Sequence, residues 1–138
     1  MNKKIFQKIV IFIFLTVALN ACNSGNTDEA SLSASVKDVN ITQNQTISSP
    51  LPITGSAKGS FFFEGQFPIS LQDKDGNTLS TCFAMAKSDW MTENYVPFTC
   101  TLSFENLTKK AGKLILKKDN PSGLKENDET VEIPVSIE

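Results

Sequence analysis

Apolar and polar side chains alternate strictly along Phe98-Thr99-Cys100-Thr101-Leu102-Ser103-Phe104-Glu105, a period that only a half-buried β-strand satisfies. Phe98, Cys100, Leu102 and Phe104 then turn to one face, and the hydroxyl-bearing row turns to water. The same period returns at Val131, Ile133, Val135 and Ile137, where Pro134 on the opposite row suits a sheet edge. Lys113-Leu114-Ile115-Leu116-Lys117 predicts another short strand. Phe61, Phe63, Phe67, Ile69 and Leu71 share one parity and predict a single long strand, with a bulge or edge position near Gly65 and Pro68. Asp73-Lys74-Asp75-Gly76-Asn77 predicts the turn that follows. No helical periodicity and no internal repeat competes, so the chain reads as all-β, an immunoglobulin-like antiparallel β-sandwich.

The N-terminus carries a different signal. Lys3, Lys4 and Lys8 precede an apolar run from Ile9 to Leu19 that is broken only by Thr16. Eleven helical residues span about 16 Å, against the roughly 30 Å of a bilayer core, so a cleaved secretory signal fits better than a spanning helix. Leu19-Asn20-Ala21-Cys22 reads as a lipobox, cut before Cys22, whose thiol then carries lipid. Multiple acyl chains, palmitate among them, give stable membrane residence. The expected organisation is a signal peptide over 1–21, an acylated N-terminus and flexible tether over 22–46, and a folded domain over 47–138. A weak strand is expected within the tether around Val36 to Ile41. The expected location is the cell envelope, facing the periplasm or the exterior.

Assigning Cys22 to lipid leaves Cys82 and Cys100 as an even pair in an oxidising compartment, and a disulfide is expected between them. A hairpin of strands near 79–86 and 96–104 that pairs Cys82 with Cys100 also pairs Ala84 with Phe98 and Ala86 with Val96, small against large. A bridge between two sheets fits the same alternation.

Composition narrows function. The chain has no His and no Arg, which removes the usual general base, the commonest metal ligand and the bidentate anion fork. The signal peptide takes three of the 13 lysines and none of the 15 acids, leaving a net charge of about −5. An acidic chain without a basic stripe does not suit nucleic acid.

Four stretches, Phe61-Phe62-Phe63-Glu64-Gly65-Gln66-Phe67-Pro68, Asp89-Trp90-Met91-Thr92, Val96-Pro97-Phe98 and Lys118-Asp119-Asn120-Pro121-Ser122-Gly123-Leu124, resemble the Gmad2 family in sequence and order. The resemblance covers residues 47 to 138. It implies the immunoglobulin-like domain associated with bacterial spore-germination proteins, a domain that also occurs alone in bacterial lipoproteins. The paired cysteines look like an addition to that pattern.

Within these stretches, Glu64 has a parity opposed to the apolar row and is expected on a solvated face; the alternative is a buried carboxylate bonded to the Asp119 loop. Trp90, the single tryptophan, is expected either to plug the end of the core or to anchor an interface. Asp119 and Asn120 suit a turn in which their side chains bond local backbone, and with Trp90 they are also a candidate recognition patch. Asp73 to Asn77 lacks the later ligands of a calcium loop and is expected to be a plain turn. Lys109, Lys110, Lys113, Lys117 and Lys118 are expected to be solvated.

The expected function is a non-catalytic, membrane-anchored module that binds a cell-envelope protein or wall polymer, with no cofactor and no metal. The alternative is a small-ligand carrier or sensor with a pocket between the Trp90 and Asn120 loops.

Overall fold

The computed structural model describes residues 32–105 and 108–138. Expectations that fall on the signal peptide and on Cys22 lie outside them. Eight strands form: β1 (Val36–Lys37), β2 (Gln45–Ile47), β3 (Leu51–Lys58), β4 (Gln66–Asp73), β5 (Thr78–Ala86), β6 (Tyr95–Leu102), β7 (Lys110–Lys117) and β8 (Thr130–Ile137). Short 3-10 turns occupy Gly59–Phe61 and Lys125–Asn127. The strands run in the order β1-β3-β6-β5-β4-β7-β8-β2. All pairings are antiparallel except β2 with β8, which is parallel, so the sheet is mixed rather than purely antiparallel.

The sheet folds over at the β5–β6 junction. Those strands pair only at Met85↔Thr99 and Ala86↔Phe98. Phe67 of β4 and Phe98 of β6, which are not sheet neighbours, meet with ring centroids 5.0 Å apart. Two faces are thereby brought together as the layers of a sandwich. Phe67 also receives Phe61 and Phe62 edge-on, at 5.0 and 5.1 Å, which is the arrangement ring quadrupoles favour. Around this cluster lie Ile53, Ile69, Leu71, Leu102, Leu114 and Ile133, all fully buried. No polar or charged residue is buried among the described residues, so apolar burial carries the core.

The alternation expected over β6 and β8 is present: Val96, Phe98, Cys100 and Leu102, and Val131, Ile133, Val135 and Ile137, all face inward. Pro134, however, is not on an edge strand, because β8 lies between β7 and β2. β2 pairs only from Val135 onward, and the Pro134 carbonyl accepts from Asn44 N at 2.7 Å. The missing N–H faces that same side, where the β2 ladder has not begun, so no ladder bond is forfeited.

The long strand expected over 61–71 does not form. Glu64 and Gly65 have φ of 51° and 78°, and Phe63 and Gln66 exchange backbone hydrogen bonds of 2.9 and 3.1 Å around them. Two consecutive positive φ values make a tight turn whose twist matches a hairpin. The chain reverses there, Phe61 and Phe62 are buried in the preceding turn, and Phe63 points outward.

Packing also starts ahead of Ile47. Val36 and Ile41 are buried, and β1 pairs with β3 at Val36↔Ala57. Asn40 extends that pairing: its backbone N–H and side-chain Nδ2 donate to Thr54 and Pro52 carbonyls, and its Oδ1 accepts from Thr54 N. One asparagine thus satisfies the β3 edge where no strand continues.

Candidate interaction surface

At one end of the sandwich the segment from Gly59 to Gln66 receives the 88–94 and 118–124 loops, and the adjoining Phe67 meets Phe98 of the fourth motif stretch. Gly59 N–H donates to Asn94 O at 3.1 Å, Ala86 N–H donates to Gly65 O at 2.8 Å, and Asp119 N–H donates to Phe61 O at 3.0 Å. A side chain at Gly59 would collide with the carbonyl oxygens of Thr92 and Trp90, so only glycine admits the 88–94 loop this closely. The Trp90 indole lies over Gly65, where a Cβ would stand 3.4 Å from Cδ1.

The candidate residues divide by role. Trp90 is half-buried and packs against the core. Glu64 is exposed at the turn tip, and the buried-carboxylate alternative does not hold. Asp119 reaches the Phe61 segment through its backbone. Asn120 organises its own loop: Nδ2 donates to Leu124 O and Asp128 Oδ1, both at 2.8 Å, and Oδ1 accepts from the Ser122 hydroxyl. The Trp90 and Asn120 loops dock on the same segment at different points. The shallow, open concavity of about 400 Å³ formed over β3 and β6 lies elsewhere, lined by Asp38, Thr54, Gly55, Lys87, Pro97 and Thr99 among others; neither Trp90 nor Asn120 lines it.

Cys82 and Cys100 are bridged, with Cα atoms 6.1 Å apart. The register differs from the hairpin expected. Ala86 opposes Phe98 rather than Val96, so the two cysteines are offset by two residues and are not ladder partners. The bridge lies beyond the two paired residues, at the seam where the layers separate, so it serves both hairpin and sandwich. The Ser80 hydroxyl donates to Ser103 O at 2.7 Å further along the same seam.

Asp73 closes the β4–β5 turn. Its carboxylate accepts from the N–H groups of Asp75 and Asn77 and from Asn77 Nδ2, each at 2.9 Å. These bonds, the Asn77 side chain first, favour the ionised form and hold the carboxyl below the ordinary aspartate value. No group of three or more potential metal ligands occurs among the described residues.

The structure adds an outward apolar stripe that sequence reasoning did not single out. Phe63 bridges Gln66, Gln66 opposes Met85, and Pro68 opposes Phe83. Phe63, Phe83 and Met85 are 40%, 53% and 48% exposed on the outer face of β4 and β5. The available signal was the opposite parity of Phe83 and Met85 to Cys82 and Ala84, which puts large apolar groups on both faces of one strand.

The strand order, the folded-over core and the seam bridge define an immunoglobulin-like β-sandwich. The family model of Gmad2, the immunoglobulin-like domain of bacterial spore germination, matches residues 41–124, and the chain belongs to this family. The match starts ahead of Ile47, as the buried Ile41 does. No curated protein and no solved structure matches the chain.

Proposed function

We propose that the protein is a cell-envelope lipoprotein, held at a membrane through Cys22, whose head is a non-catalytic interaction module for an envelope protein or wall polymer. Family membership supports the interaction module. The observation that carries the reading is the stripe of Phe63, Phe83 and Met85 with Pro68, an apolar patch on the outer face of a sheet whose inner face is already packed. Apolar groups gathered in one place on a surface mark contact sites more often than single exposed ones do. The lipobox and the polar stretch after Cys22 support the anchor.

Photo-crosslinking in cells from position 83, with position 75 at the opposite end as control, tests the binding surface. A discrete adduct from position 83 that disappears when Met85→Asp is added supports the reading. Equal or absent adducts at both positions remove it.

A further inference from the structure

The described residues begin at the same end that gathers the motif loops. Ser35 O accepts from Lys58 N at 2.8 Å, and Ala34 O accepts from the Tyr95 hydroxyl at 2.7 Å. Lys58 adjoins Gly59, whose N–H binds Asn94 and whose Cα faces the Trp90 and Thr92 carbonyls. The antiparallel order carries Glu138 and the Asp73 turn to the other end.

Only nine residues, Asn23 to Ser31, separate Cys22 from Leu32. A link of that length can reach at most about 33 Å. On an anchored chain it is therefore this end, and not the Glu138 end, that is tied to within that reach of the bilayer, and the apolar phase nearest to it is the lipid. Met91, 75% exposed beside Trp90, and Leu124, 52% exposed in the 118–128 loop, project into solvent from the loops at this end, whereas the exposed Phe63 faces outward from the sheet. Tyr95 lies under the Lys37 and Lys58 ammonium groups, at 4.6 and 4.2 Å from the ring centroid. Aromatic rings with lysines above them suit the headgroup region, where one end of the side chain is wet and the other is not. Glu64, Asp89 and Glu93 share this end and are exposed, which offsets the lysines and points to a zwitterionic surface.

We propose that the loops of Met91 and Leu124 rest on the bilayer that holds the anchor, with Trp90 at the headgroup level and the Phe63–Phe83–Met85 stripe left facing outward for the partner. This rests on the anchoring through Cys22 described above.

Trp90 is the only tryptophan, so its fluorescence reports this end directly. The acylated chain is reconstituted in phosphatidylcholine vesicles with brominated or plain acyl chains. Emission is expected to be lower with brominated than with plain lipid, and Met91→Asp with Leu124→Asp is expected to abolish that loss while the thermal unfolding midpoint stays unchanged. Equal emission in both vesicles, or the same quenching in the double variant, overturns the proposal. The mass of the N-terminal peptide separately shows whether Cys22 is acylated. Where it is not, the anchoring reading fails by itself, and the quenching is read on a chain coupled through Cys22 to a maleimide lipid.

Discussion

Cys82 and Cys100 join β5 to β6 beyond the two residues at which those strands pair. Their covalent link takes the place of hydrogen bonds at the seam where the sheet turns over. A bridge across 18 residues restricts the unfolded chain, and its loss is expected to cost about 3 kcal/mol. The Cys82→Ala, Cys100→Ala variant should therefore unfold at a distinctly lower denaturant concentration than the oxidised protein. Denaturation of the oxidised protein with and without reductant should show the same gap. Coincident curves would show that the bridge adds nothing to stability.

Phe67 and Phe83 sit on adjacent strands and should respond oppositely to truncation. Phe67 is fully buried and meets three other rings, so Phe67→Ala is expected to cost about 3–5 kcal/mol. Phe83 faces outward, and Phe83→Ala should stay within about 0.5 kcal/mol of the parent. Urea unfolding of the two variants checks both values. A large loss at Phe83 would mean that the stripe is structural rather than a free contact surface.

Period-two alternation made β6 and β8 legible because each has one inner and one outer face, and Asp73 to Asn77 carried its turn chemistry openly. The 61–71 strand was misread for a physical reason. A two-residue turn pairs Phe63 with Gln66 and so exchanges odd and even rows across the reversal: Phe63 turns outward with Gln66 while Phe67 faces the core, and Phe61 is buried from the preceding 3-10 turn, where strand parity does not apply. Glu64-Gly65 is also a weaker hairpin signal than Asn-Gly or Asp-Gly. The β5–β6 register slipped by two residues, which leaves every side chain on its original face and is invisible to a pattern argument. Asn40 pairs with β3 through its side chain, a contact that no strand periodicity reports.

Gly59 and Trp90 should fail in different ways. Gly59→Ala sets a methyl against the Thr92 and Trp90 carbonyls, which are fixed backbone atoms, and the 88–94 loop must move. A loss above about 2 kcal/mol is expected. Trp90→Ala removes a half-buried ring from Gly65 and the core, with an expected loss of about 1–3 kcal/mol. The neighbouring Met91 is exposed, so Met91→Ala should leave the unfolding midpoint where it is. Thermal melts of the three variants give the order, and an unchanged midpoint for Trp90→Ala would assign the ring to recognition alone.

Asp73 gives the β4–β5 turn a pH dependence of known sign. Its carboxyl is held below the ordinary aspartate value by the Asn77 side chain first and then by backbone N–H groups. The folded state therefore favours the ionised form, and the unfolded state takes up a proton first as pH falls. The stabilisation is complete above the ordinary aspartate range and is lost as pH drops through the lowered folded value. Carboxyl NMR titration should place Asp73 below a freely solvated aspartate, and Asn77→Ala should move it upward. The backbone amide at position 77 should exchange faster in that variant at neutral pH. An Asp73 titration that Asn77→Ala leaves in place would show that the side-chain bond does not set it.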